Sequence, residues 1–147
     1  MITVEHIKHS SRPFTKVLGT SQAVILSGEQ TNGCFTLIEQ VESRGSRIPM
    51  HVHEHEDETF FITEGTVELV VGPMKLALRK GDTAFCPKGV PHAWEVTNDA
   101  GACFLVLITP AGLERMFNEL AGLTNIPPSI SEVERVCTEY GIRFTRQ

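Results

Sequence analysis

Along the middle of the chain, apolar side chains recur at every second position, and each run is short and ended by glycine or proline. Successive side chains of a strand point to opposite faces, so this pattern belongs to half-buried strands joined by tight turns. Val67, Leu69 and Val71 share one face, Gly72-Pro73 reverses the chain, and Met74, Leu76 and Leu78 share the next face while Lys75 and Arg79 point to water. That spacing predicts a hairpin. Another is predicted upstream, where Ala23 to Leu26 and Cys34 to Val41 flank the turn-prone Ser27 to Gly33, with Asn32-Gly33 as the reversal signal. Phe104 to Ile108, bounded by Gly101 and Pro110, reads as a strand buried on both faces. Several short strands at this spacing predict an all-β sandwich or barrel.

From residue 110 the period becomes helical, with Leu113, Met116, Phe117 and Leu120 on one face behind Thr109-Pro110. A second helix is expected from Ser131, whose spacing to Glu134 forms a capping box; it carries Val133, Val136, Cys137 and Tyr140 before Gly141 stops it. Both helices are expected to pack on the outside of the barrel; the alternative is that they cap its mouth or a dimer seam. With 147 residues and no repeat, low-complexity tract or long linker, a single domain over 1–147 is expected, its barrel core at about 20–109 and its helical extension at 110–147.

A net charge of −5 without a Lys/Arg cluster argues against a nucleic-acid partner. The first 30 residues lack a basic segment leading into an apolar one, and no run of 18 apolar residues occurs, so no membrane partner is expected and the expected compartment is the cytoplasm. Cys34, Cys86, Cys103 and Cys137 lie in apolar runs with no paired spacing and read as reduced, buried thiols without a disulfide.

Chemistry concentrates in Gly45 to Gly65, GSRIPMHVHEHEDETFFITEG. On a strand His51 and His53 point the same way, and a chain that turns back brings Glu58 to face them from the neighbouring strand. The later histidine is His92, after a Gly-Pro-rich turn. Three imidazoles and a carboxylate suit one divalent first-row metal (Fe, Mn, Co, Ni, Cu or Zn), whereas Ca or Mg would want an all-oxygen shell. Four protein ligands on an octahedral ion leave two positions for substrate. His55 has the parity of His51 and His53, so it reads as an alternative ligand, a neighbouring base or, as the favoured reading, a surface residue where the turn breaks the alternation. Glu54, Glu56 and Asp57 read as solvated turn charges, and His6 and His9 as exposed. Phe60, Phe85 and Met50 read as core, and Trp94, two residues after His92, as a candidate pocket wall.

The stretch resembles the first motif of the cupin superfamily, G(X)5HXH(X)4E(X)6G, at every fixed position. Gly81, Pro87, Gly89 and His92 fit the second, G(X)5PXG(X)2H(X)3N, except that Val96 stands at the family's Asn, with Asn98 two residues later. That departure bears on a strand end rather than on the ligands. The resemblance implies a jelly-roll, or double-stranded β-helix, barrel followed here by two C-terminal helices. It places a metal ion on His51, His53, Glu58 and His92, and implies a homodimer. Cupins include dioxygenases, isomerases, small-molecule binders and storage proteins. The short barrel with C-terminal helices is loosely similar to quercetinase-like single-domain cupins. The leading expectation is therefore a metal-dependent dioxygenase acting on a small oxygenated substrate, with Glu58 also serving as a base. The alternatives are a non-catalytic metal-containing small-ligand binder and a non-redox isomerase or lyase.

Overall fold

The computed structural model describes residues 4–145. After a short 3-10 turn at His9–Ser11 come β1 (Thr15–Val17), β2 (Thr20–Leu26), β3 (Thr36–Glu42), β4 (Arg47–His53), β5 (Asp57–Val71), β6 (Met74–Arg79), β7 (Thr83–Cys86), β8 (His92–Glu95) and β9 (Ala102–Thr109). The helices α1 (Leu113–Ala121) and α2 (Ile130–Glu139) follow, and β10 (Ile142–Phe144) ends the series. All strand pairs are antiparallel, in the order β1-β2-β3-β9-β5-β8-β4-β10, with β6 and β7 also pairing β5.

Both hairpins expected from the sequence are present, β2 with β3 and β5 with β6. The 15-residue β5 serves two parts of the curled sheet, pairing β9 and β7 along its first half and β6 and β8 along its second. Gly65 lies where it changes partners. A Cβ there would overlap the backbone of Gly101, and φ is +75°, so only glycine lets the two turns approach. Val96, at the motif's missing Asn, is fully buried, its N–H donating to Ser46 O (2.9 Å) and its carbonyl accepting from Gly45 (2.8 Å), while Asn98 donates to Thr66 O (3.0 Å).

The inward faces meet in one core around Phe60, Leu69, Trp94, Phe104 and Ile108. Strand β9 is buried on alternate residues rather than on both faces: Phe104, Val106 and Ile108 point in, and Leu105 and Leu107 lie half-buried outside. Its neighbours β3 and β5 cover its edges, and among the described residues its outer side chains stay only half-buried. Phe85 is also no core residue. It sits on that outer face of β7, 58% exposed.

The strand path begins at β1 and ends at β10, and the helices bridge these two ends: α1 packs on β1, α2 on β10, and the helices on each other. They close the open side of the curled sheet instead of decorating its exterior, because their apolar stripe (Leu113, Met116, Leu120, Val136, Cys137) is buried there in the core cluster. Glu114 fastens α1 in place, accepting from Gly28 N (2.7 Å), Thr36 Oγ1 (2.5 Å) and Gly112 N (3.0 Å). The capping box of α2 lies two residues before the expected one: Ser129 Oγ accepts from Glu132 N at 3.3 Å, and Glu132 accepts from Ser129 N at 2.9 Å. Pro127-Pro128 keeps the preceding backbone extended, so Ser129 is where the helix opens and Ser131 is already inside it. No helix of the described residues is long and apolar enough to cross a membrane.

Candidate metal centre

Strand β4 carries His51 and His53 and is held on both edges, by β8 on one side and β10 on the other. His51 sits opposite His92 of β8 and Phe144 of β10, and His53 opposite Ile142. The pairing with β8 shifts register between Ile48 and His51. Pro49 falls in that interval and has no N–H for the ladder, so a bulge forms and re-aims the two histidines. The freed Pro49 carbonyl accepts from His51 Nδ1 at 2.8 Å. This fixes the tautomer and turns the Nε2 lone pair inward. After His53 the chain turns through residues 54–56 and returns as β5, placing Glu58 beside the histidines.

The four residues named from the sequence converge. Their ligand atoms lie within 4.8 Å of one another, and all four residues are buried. His51 Nε2 and His53 Nε2 are 3.1 Å apart, His92 Nε2 and Glu58 Oε2 2.9 Å, and His53 Nε2 and Glu58 Oε1 3.5 Å. Burial, with His92 and His53 close by, drives His51 down to about 3, so its imidazole is neutral. For Glu58, burial works upward, but His53 and the hydrogen bond with His92 outweigh it and hold the carboxyl at about 2. His53 is opposed by burial and raised by Glu58 and Glu56. Three ring nitrogens and one ionised oxygen, facing each other in a buried space, form the donor set of a first-row transition metal. The residues present fit such an ion.

The turn between the ligands departs from expectation at Glu56, which is buried (8% exposed) rather than solvated. Its Oε2 lies 3.6 Å from His53 Nδ1, and neither atom has another hydrogen-bond partner. Glu54 and His55 are exposed, the surface reading of His55, while Asp57 is half-buried and accepts from Lys88 N at 2.8 Å. His6 and His9 are exposed. The four cysteines are free, but Cys34 is exposed and Cys103 half-buried, because they lie at a turn and on the outer face of β9. Burial pushes the Cys86 and Cys137 thiols up to about 12 and about 11, Glu58 adding to the effect at Cys86.

His51, His53 and Glu58 of the cluster form one wall of a chamber of about 80 Å³, whose other walls include Phe60, Trp94, Val106, Met116 and Cys137. Trp94 is therefore a pocket wall, as its parity with His92 indicated. Thr20, Gln22 and Gln40 also line it, buried, with the Gln22 and Gln40 amides 3.3 Å apart. Sequence reading passed over these three. The available signal was polar residues holding the inward parity of β2 and β3, where an apolar face would be uninterrupted.

The cupin domain family model matches residues 37–108, from β3 to β9, including all four candidate ligands. This chain is a cupin. A quercetin 2,3-dioxygenase from Bacillus subtilis is 29% identical over 73 residues, 50% of this cupin and 22% of that protein. The cupin spans about a fifth to about half the length of the curated relatives it matches. Among solved structures, KdgF from a Halomonas species is similar with a TM-score of 0.68 at 16% identity, covering 76% of this cupin and 99% of that chain. The polyketide cyclase RemF from Streptomyces resistomycificus is similar with a TM-score of 0.63 at 19% identity, covering 75% and 81%. Likeness at these identities shows the jelly-roll fold, and names as different as dioxygenase and cyclase show that the fold does not choose the reaction.

Proposed function

We propose that this cupin is a metal-dependent dioxygenase acting on a small oxygenated organic substrate, with flavonol-type enols as the first class to test. The observation that carries the reading is the cluster of His51, His53, Glu58 and His92, three of which, His51, His53 and Glu58, line a chamber otherwise walled mainly by apolar side chains. The local likeness to a quercetin 2,3-dioxygenase supports the same reading. A redox-active first-row metal held by these four residues would supply Lewis acidity toward the substrate's oxygens and the one-electron chemistry that dioxygen requires.

The chain's own groups bind, orient and exclude water. Glu58 is the one carboxylate among the described residues lining the chamber, and it accepts the proton of the substrate hydroxyl at a carboxylate oxygen. His51 is tethered through Nδ1 to the Pro49 carbonyl and holds its orientation throughout. Gln22 and Gln40 present amides to a substrate carbonyl or hydroxyl. Phe60, Trp94, Met116 and Phe117 keep bulk water out. On the same reading the chain works in the cytoplasm, where its free thiols stay reduced. It pairs with a second copy through the outer face of β5, β7 and β9, where Phe61, Phe85, Leu105 and Leu107 lie together.

The test is oxygen uptake by metal-loaded protein with a flavonol, followed by mass analysis of product made under labelled dioxygen. Uptake with both oxygen atoms in the product, lost in Glu58→Ala, is expected. No uptake despite stoichiometric metal removes flavonols as the substrate class. Full turnover of substrate with zinc, and no oxygen consumed, replaces the reading with a non-redox isomerase or lyase.

A further inference from the structure

A chamber of about 80 Å³ is well under the roughly 300–1,000 Å³ of an ordinary small-molecule site. Beside it lies an outer groove of about 830 Å³, between the α1–α2 connection and strands β1 and β4. Leu18, Ile48, Leu120 and Phe144 line both spaces. The two spaces therefore share a wall, made by these four side chains.

Leu18 is unusual at this boundary. With Gly19 (φ 80°) it makes the two-residue turn from β1 to β2, and its own φ is 51°. That left-handed conformation favours glycine or asparagine and strains a leucine. Strain kept at one position is a mark of a working site, and here the strained side chain stands between chamber and groove. On the far side of the groove, Ile126 and Ile130 are 94% and 78% exposed. Lys16 and Arg47 border it on the strand side and Glu134 on the helix side. The charges are mixed, so the groove selects for an apolar body rather than for a polyanion.

We propose that chamber and groove are two compartments of one site for an elongated amphipathic molecule, its oxygenated head among His51, His53, Glu58 and His92 and its apolar body along the groove. The proposal rests on the metal reading for the head alone.

The test measures binding of straight-chain hydroxamates, from acetohydroxamate to decanohydroxamate, to metal-loaded protein through the fluorescence of Trp94, the one tryptophan. Affinity is expected to rise about threefold to fourfold per methylene once the chain passes the Leu18 boundary. In Ile126→Asp and Ile130→Asp, changes at exposed positions, the long probes lose most of that gain while acetohydroxamate binds as before. Leu18→Gly, which relieves strain, is expected to speed association of the long probes. Acetohydroxamate binding with no growth along the series overturns the two-compartment site and leaves the metal reading intact. A chain-length dependence kept by metal-free protein, with acetohydroxamate failing on loaded protein, supports the groove and refutes the metal reading. A change of sedimentation mass in Ile126→Asp or Ile130→Asp overturns the proposal in favour of a second copy seated on the groove.

Discussion

His53 faces two carboxylates at once, with Nε2 3.5 Å from Glu58 and Nδ1 3.6 Å from the buried Glu56. On the metal reading, Glu56 is the carboxylate that would orient the ring while its other nitrogen held the ion. Protein purified without a histidine tag is expected to carry stoichiometric first-row metal by mass spectrometry, and His53→Ala to lose it. Glu56→Gln keeps the shape but removes the charge; competition with a chelator should show metal held about 10- to 100-fold more weakly. Acid should destabilise the metal-free protein. His51 is held at about 3, below its ordinary 6.5, so the unfolded chain binds its proton first and stability falls as pH drops from 6.5 toward 3. Glu58, at about 2 against 4.5, contributes stability that is full above 4.5 and is lost as pH falls through 2. His53, raised, works in the opposite direction: its contribution is full below 6.5 and is lost as pH rises through its folded value. The steepest loss, a few kcal/mol in all, is expected below pH 4.5, where the His51 and Glu58 contributions fall together. Denaturant midpoints measured against pH on chelated protein check this.

Strand β10 decides how firmly β4 is held, since Ile142 and Phe144 pair with the two ligand positions of that strand. It is reached through Gly141, at φ 74°, where a Cβ would lie 2.6 Å from the His55 ring. Gly141→Ala should therefore cost about 1–3 kcal/mol, read as a lower melting temperature, and should loosen metal retention through β4. Three residues are too few for a period to declare itself, and Ile142-Arg143-Phe144 becomes a strand only because β4 offers an unpaired edge. The α2 cap shows the same limit. Two serines stand two residues apart with glutamates at matching offsets, and only the extended backbone after Pro127-Pro128 selects Ser129 over Ser131.

Seen whole, the sheet has one face turned to the core and one to solvent, and the outer face of β5, β7 and β9 is apolar at Phe61, Phe85, Leu105 and Leu107. A patch on paired, rigid strands suits a two-fold contact in which each copy offers the same surface. Sedimentation at micromolar concentration is expected to give the mass of a dimer, and Phe61→Glu with Phe85→Glu that of a monomer. A monomeric mass for the unaltered protein would remove this interface.

Local pattern alone determined the strands of the two hairpins, β9, the helical stretch and the four residues of the cluster, because period, turn chemistry and motif spacing are written along the chain. The rest depends on residues far apart in sequence. Glu56 is buried because β5 and β4 close over the turn between them, and Gln22 and Gln40 line the chamber because β2 and β3 complete its wall. The helices close the sheet because α1 packs on its first strand, α2 on its last, and the two helices on each other. Burial and the meeting of distant strands are properties of the curled sheet and the helices that close it, and only the tertiary structure could decide them.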